Sequence, residues 1–156
     1  SPDSAAAERQ FVWGLRYIDD LIVRDRDTDN SGTIDERLYA LQDANWNVTT
    51  VISAAGTVQE RYAYAAYGQP TFLTATFGDR TTSSHAWESL YCGYRYEAGT
   101  GLFHVRHRVY SGEIGGWLVR DRLRYVDSIN LYEYVHAGPM TYHDPYGDSI
   151  WNEWPT

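Results

Sequence analysis

The chain has 156 residues and a formal net charge of -8, and its 13 basic residues are all arginine. That length suits one ordinary domain or one segment of a larger assembly. The acidic balance leaves no basic stripe to neutralise phosphates, which argues against nucleic acid as a partner. Aromatic residues make up 15% of the chain, with 14 Tyr and 6 Trp, while Met, Phe and the long aliphatics are sparse. A helical core would need more Leu and Ala at a period of 3.6, so the composition predicts a β protein stabilised by aromatic cross-strand pairs.

After a loose Ser/Ala-rich lead, Phe11-Val-Trp-Gly-Leu-Arg-Tyr-Ile18 is strand-like, and Phe11 to Val23 reads as one strand or a bent pair. A start at Ser1, with no Met and no signal peptide, is what a processed product or an ordered fragment of a longer polypeptide would show. Arg24 to Glu36 is a polar tip. Arg37 to Leu41 and Trp46 to Ile52 are predicted strands around Gln42-Asp-Ala-Asn45, and Ala54-Ala-Gly56 turns the chain into Val58 to Tyr67. Gly68-Gln-Pro70 closes that unit, and residues 74 to 84, rich in Thr, Ser and Gly, read as a longer loop. No segment approaches the roughly 20 apolar residues needed to span a bilayer as a helix.

The run from Tyr91 to Tyr110 carries the most information. Tyr94 and Tyr96 sit on an incoming strand, and Glu97-Ala-Gly-Thr-Gly101 supplies two glycines for a hairpin turn. From Phe103 to Val109 the side chains alternate, which predicts Phe103, Val105, His107 and Val109 on one face and His104, Arg106 and Arg108 on the other. Two arginines at period-two spacing repel unless acids answer them. Glu97, Glu113, Asp121 and Asp127 are near enough in sequence to do so, and a bidentate carboxylate pair on at least one of these arginines is expected. His104 and His107 would then face opposite ways and cannot jointly hold a metal. Cys92 is alone, so no internal disulfide is available, and it reads as a small strand residue.

This hairpin resembles the Tyr-x-x-Glu-Thr-Gly-Leu-x-x-x-Arg-x-Arg-Tyr-Tyr segment that ends the shell of Rhs proteins, whose tyrosine-aspartate (YD) repeats wind into a large hollow β-shell. The resemblance extends in order along the chain. Leu38 to Val51 is similar to the family's penultimate repeat. Gly56 to Gly68 is similar to its Gly-x-x-x-x-x-Tyr-x-Tyr-Asp-x-x-Gly unit, with Ala65 in place of the Asp. Trp117-Leu-Val-Arg-Asp121 resembles the Arg-Phe-x-x-x-Asp step, Asn130 to Val135 resembles Asn-Leu-Tyr-x-Tyr, and Pro139 to Gly147 resembles the closing Asn-Pro-x-x-x-x-Asp-Pro-x-Gly.

The resemblance implies an all-β fold of stacked antiparallel β-hairpins of YD-repeat type, part of a larger β-shell or β-spiral. It suggests terminal YD-type repeats over 1–73, a Thr/Ser-rich loop over 74–90, an Rhs core-like segment over 91–147 and a carboxy-terminal tail over 148–156. The implied function is structural: forming or sealing a secreted or surface β-shell that encapsulates a carboxy-terminal polypeptide, often a toxin. Its expected partners are the remainder of the parent polypeptide or further copies of the chain, at an extracellular or cell-surface location. Open sheet edges also allow a different outcome, a self-assembling filament built through heterologous contacts. In that case the tip at residues 25 to 36 and the tail with Trp151 and Trp154 would be the intersubunit contacts.

In shell-forming relatives this core is an aspartyl autoprotease that releases the carboxy-terminal polypeptide. Such chemistry needs two carboxylates able to share a proton, so that water can attack a peptide carbonyl. By position the resemblance points to Arg120 and Asp121 as the Arg-Asp pair and Glu133 as the second acid, with the scissile bond following Asp148. The chain departs from the family pattern in having Arg122-Leu-Arg124 after Asp121 and Asp148 where the family has Leu. An arginine-paired structural network involving Asp121 and Glu133 is the competing reading.

Two further motifs stand apart from that resemblance. Asp27-Thr-Asp-Asn-Ser-Gly-Thr-Ile-Asp35 places Asp27, Asp29, Ser31, the Gly32 turn and Asp35 where a calcium loop wants them. Leu38 occupies the position of the bidentate Glu and no helical pattern flanks the loop, so a solvated hairpin tip is the alternative to a calcium site. Apart from that calcium, no cofactor is expected. Asn47-Val-Thr49 spells a glycosylation sequon inside a strand pattern.

Overall fold

The computed structural model describes residues 7–122, 129–148 and 150. Seven strands follow one another and pair antiparallel in chain order: β1 (Arg9–Trp13), β2 (Leu21–Arg26), β3 (Glu36–Gln42), β4 (Val48–Ser53), β5 (Val58–Tyr64), β6 (Pro70–Thr74) and β7 (Asp79–Arg80). A second sheet holds β8 (Arg95–Glu97), β9 (Leu102–Val105), β10 (Arg108–Ser111) and β11 (Gly116–Trp117), again hairpin after hairpin. The all-β class of stacked hairpins is therefore the observed one. Phe11 to Val23 is a bent pair, since β1 and β2 form a hairpin with Val12 opposite Val23.

Alternation explains the long strands. On β5, Glu60 and Tyr62 are buried while Ala63 is exposed, and Phe72 of β6 lies opposite Tyr62 with the two rings edge to face at 5.8 Å. In the second sheet, cross-strand partners are also ring partners. Tyr96 faces Phe103 at 5.1 Å, Phe103 faces Tyr110 at 6.1 Å, and Tyr110 faces Trp117 at 5.4 Å. Phe72 meets Tyr96 at 5.8 Å, so one aromatic series runs from the first sheet into the second. Tyr91, Tyr94 and Tyr134 close over it, all buried.

The first sheet is fastened by buried charge. Glu60 is fully buried and accepts hydrogen bonds from Tyr62 Oη (2.8 Å), Ser83 Oγ (2.5 Å), the Ser84 amide (3.0 Å) and Arg80 (3.1 Å). Burial pushes its carboxyl up, but these bonds outweigh that and hold it below the usual glutamate range. Arg24 lies over the Trp87 ring at 4.9 Å, pairs with Glu36 at 2.6 Å and donates to the His85 and Ala86 carbonyls. Glu60 and Arg24 thus pin the segment 83–87 across the sheet.

Four local expectations change. The loop read over 74 to 84 carries β7, since Asp79 and Arg80 pair with Leu73 and Phe72 of β6. Phe103 to Val109 is two strands, because Val105 pairs directly with Arg108 and leaves Arg106 and His107 as the turn. Arg106 sits at φ 29, a left-handed conformation costing on the order of 1 kcal/mol, which its side-chain contacts offset. The turn breaks the parity, so Arg108 joins Phe103 and Tyr110 on the buried side and shares no face with Arg106. Cys92 lies in a single 3-10 turn, Tyr91–Gly93, at φ 49. Trp46 precedes its strand in a turn at φ 61.

Candidate functional site

The tip of the β9–β10 hairpin closes on the turn that runs from Asp144 to Asp148. The Arg106 guanidinium donates to the Pro145 carbonyl, the His107 amide donates to the Tyr146 carbonyl at 3.2 Å, and Arg108 Nε donates to the Gly147 carbonyl. Three consecutive residues thus take three consecutive carbonyls. Asp144, which is 1% exposed, organises the turn from within. Its Oδ1 accepts the amides of Gly147 (2.8 Å) and Asp148 (3.0 Å), and its backbone carbonyl accepts Tyr94 Oη at 2.8 Å. Gly147 has φ 72, and a Cβ there would lie 2.8 Å from the Val105 carbonyl oxygen, so both backbone and space require glycine.

Arg108 is the hub. Its side chain is 4% exposed and lies over the Trp117 ring at 4.0 Å. Nη1 reaches Asp121 Oδ2 at 3.2 Å and Nη2 reaches Asp144 Oδ2 at 2.9 Å. A buried guanidinium is costly unless its donors are answered. Two carboxylates, a carbonyl and an aromatic face answer this one. Beside it, Arg106 makes a bidentate pair with Asp19 (2.7 and 3.0 Å) and lies over the Tyr146 ring at 5.6 Å. That pair ties the tip to the β1–β2 connection. His107 Nδ1 is 2.8 Å from Asp148 Oδ2.

Of the residues suggested for proteolysis, Asp121 is brought to Arg108, and Arg120 is exposed. The Asp121 amide donates to the Leu131 carbonyl at 3.1 Å, and Glu133 bridges Gly116, so Asp121 and Glu133 lie on adjoining stretches of backbone. The acid that shares a cation with Asp121 is Asp144, which the sequence marks only as the start of Asp-Pro-x-Gly. The bidentate pair expected on Arg106 or Arg108 is present, with Asp19 as its acid. Asp127, Trp151 and Trp154 lie outside the described residues.

Among the described residues Asp27, Asp29 and Asp35 form a group whose carboxylate oxygens can lie within 4.8 Å of one another, at the β2–β3 tip. Ser31 takes part through its backbone amide, which donates to Asp27 and Asp29 at 3.1 Å. Gly32 N also donates to Asp27 (2.7 Å), while Thr28 donates to Asp35 through its amide (2.9 Å) and hydroxyl (2.6 Å). Burial pushes the Asp27 carboxyl up, and the Gly32 and Ser31 amides outweigh it and hold it below the usual range. Three carboxylates supply part of the six to eight oxygens that calcium takes.

Cys92 and Asn47 are accounted for together. The Cys92 amide donates to Asn47 Oδ1 at 2.9 Å, and Asn47 Nδ2 donates to Asp43 at 2.9 Å, so the sequon asparagine is buried and used at both ends. Burial pushes the Cys92 thiol up to about 12, which keeps it protonated and unreactive at neutral pH.

No family model matches the chain. Over 112 residues it is 29% identical to the tRNA3(Ser)-specific nuclease WapA of Bacillus spizizenii, a match that covers 69% of this chain and 5% of that protein. Over 113 residues it is 28% identical to toxin subunit YenC1 of Yersinia entomophaga, covering 72% of this chain and 11% of that one. A crystal structure of TcdB2-TccC3 superposes with a TM-score of 0.65 at 26% identity over 80% of this chain and 6% of the other. The Tc holotoxin pore of Photorhabdus luminescens gives a TM-score of 0.67 at 25% identity, over 86% and 6%. The chain therefore spans a small part of each relative. These relatives are Rhs-type proteins, and the likeness to them fits an Rhs-associated region. The same likenesses support a structural Rhs-type role. Among the described residues no helix is long and apolar enough to cross a membrane.

Proposed function

We propose that this chain is the closing segment of an Rhs-type β-shell, packed against the rest of its parent polypeptide and holding the start of an enclosed carboxy-terminal polypeptide. The observation that carries this reading is the clasp of Arg106, His107 and Arg108 on the carbonyls of residues 145–147. It fastens the chain to the second sheet just before the point where a carboxy-terminal polypeptide would begin. The exposed row Phe11, Val12 and Trp13 on edge strand β1 suits pairing with a preceding repeat of the same parent. Relatives that are toxin subunits support an extracellular setting.

Limited proteolysis of the parent polypeptide tests the reading. The polypeptide after residue 148 should resist added protease until the shell is unfolded. Digestion at the rate of the isolated carboxy-terminal polypeptide would sink it, and so would open filaments in electron micrographs where hollow particles are expected.

A second reading, self-cleavage after Asp148, is favoured by a specific contact: Arg108 joins Asp121 to the turn that carries that bond. Water adds to the Asp148 carbonyl carbon and the Asp148–Ser149 C–N bond breaks. A carboxylate takes a proton from the water, and a proton is delivered to the departing nitrogen. Asp121→Asn should leave the chain whole. If the wild-type chain keeps its full mass over days, this reading fails. For the calcium loop the corresponding proposal is that Asp27, Asp29 and Asp35 converge on an added ion, which a calcium titration followed by melting temperature would detect.

A further inference from the structure

We infer that the groove between β1 and the segment 86–89 receives one large apolar side chain from a strand of the parent polypeptide upstream of Ser1; this rests on the first reading above, that the chain packs against the rest of its parent. The groove is where the covered face of the first sheet runs out. Phe11 lies opposite Arg24, and Arg24 opposite Leu38, so the three share one face. Arg24 and Leu38 are buried there, whereas Phe11 is 44% exposed and Trp13, two residues on, is 49% exposed. Trp87 covers Arg24, and beyond it β1 is left with two half-exposed rings. Together with Leu21 they bound a groove of about 550 Å³, a size that suits a bound side chain.

The rim decides what the groove accepts. Arg9 pairs with Glu88 at 2.6 Å and meets Glu8 at 3.4 Å, and Arg95 meets Glu88 at 3.4 Å. Two cations and two anions thus answer one another at the rim. On the inner wall, both terminal nitrogens of Arg24 are taken by Glu36 and by the His85 and Ala86 carbonyls, and its Nε is sealed from solvent. A charged side chain entering here would lose its hydration and gain no counter-charge. An aromatic or long aliphatic side chain has no such loss and covers Phe11, Trp13 and Leu21. An apolar centre inside a polar, self-paired rim is the anatomy of a protein contact.

Topology points to the source of that side chain. The first sheet is an antiparallel meander in strict chain order, with the outer edge of β1 open among the described residues. A strand added before β1 by the same rule lies beside it and alternates its side chains onto the face of Phe11 and Trp13. Ser1-Pro-Asp-Ser4 has turn-forming residue types, and Ser1 to Glu8 contains no large apolar side chain. The inserted group therefore comes from farther upstream in the parent. Being tethered to β1, it meets the groove at high effective concentration.

The test compares the 156-residue chain in dilute solution with the parent polypeptide, each carrying Trp13→Cys, by the rate at which a maleimide modifies the introduced thiol. Cys92 stays silent, because it is buried and its thiol is pushed up to about 12. Hydrogen exchange of the β1 amides is followed on the same samples. The thiol should be open in the 156-residue chain and modified on the order of 100-fold more slowly in the parent, with the β1 amides slowed as well. Phe11→Asp, added to the parent, should raise its modification rate at least about tenfold by expelling the apolar side chain. Where that variant does not fold, Phe11→Ser takes its place.

Fast modification in the parent with slowed β1 amides would overturn the inference and leave the packing of this chain on its parent standing. Fast modification with fast exchange removes both. A shell that merely kept the reagent out would leave the Phe11 variants as slow as the parent, which overturns the inference too. Protection already present in the dilute 156-residue chain would give the groove to its own residues. Protection in the parent that vanishes on dilution would give it to a second copy, and either result overturns the inference.

Discussion

The two sheets are joined in one core but are held by different physics. The second sheet rests on rings: Tyr96, Phe103, Tyr110 and Trp117 pair across successive strands, with Tyr134 4.3 Å from Tyr110. The first sheet rests on polar fastenings, Glu60 to the segment 83–84 and Arg24 to 85–87, while its edge strand β1 leaves Phe11, Val12 and Trp13 exposed. Aromatic burial is non-directional and insensitive to pH, whereas a buried carboxylate holds only while it is ionised and fully bonded. The ring series of the second sheet is therefore indifferent to pH, while the clasp beside it is held, like the first sheet, by a buried acid, Asp144 on Arg108.

The contrast would break most visibly at Tyr110. Tyr110→Ala removes a fully buried ring and the Oη bond to the Tyr67 carbonyl at 2.7 Å, and should cost about 3–5 kcal/mol in denaturant unfolding. A loss below about 1 kcal/mol would mean that the ring series is not what holds the second sheet. Glu60→Ala should cost about 1–3 kcal/mol by stranding Arg80, Ser83, the Ser84 amide and Tyr62.

Glu60 also sets a pH signature. Its carboxyl is held below the usual glutamate range when folded, so its contribution is present above that range and disappears as pH falls through the folded value. Melting temperature should drop at acid pH in wild type and drop less in Glu60→Gln. Parallel acid limbs in the two proteins would contradict this. Arg106→Ala should lower the melting temperature by several degrees, because Asp19 is left buried without its bidentate partner. The smallest effect belongs to the edge: Trp13→Ser should change stability by less than about 0.5 kcal/mol, while reducing association at high concentration in sedimentation.

Much of the fold is legible in the sequence where the signal is local. Alternation in Glu36–Gln42, Val48–Ser53 and Val58–Tyr64, bounded by turn residues, gives strands at nearly the right places. The ring series is also written plainly, in aromatic residues at 96, 103, 110 and 117, seven apart, although a search for one repeat period along the whole chain passes over it. The turn at Arg106 and His107 is not legible. It contains no Gly, Pro or Asn, and its left-handed residue is supported by Asp19, 87 residues away, and by the Pro145 carbonyl. Cys92 misleads for the same reason, since Asn47, 45 residues away, holds its amide, whereas Trp46 ends a local turn built on Asp43. At the candidate site, Asp121 stands out by resemblance, but the bond from Arg108 to both Asp121 and Asp144 depends on three segments meeting.

The clasp also has a mechanical meaning. The turn before the last residues of the chain has carbonyls at 145, 146 and 147, each held by a separate residue of one hairpin tip. A pull on whatever polypeptide follows is met there by several bonds, and behind them by ion pairs to Asp19, Asp121 and Asp144. Tension from the downstream chain is thereby shared at the tip before it reaches the rings of the core. The rest of the molecule is shielded from that pull much as a strain relief shields a cable joint.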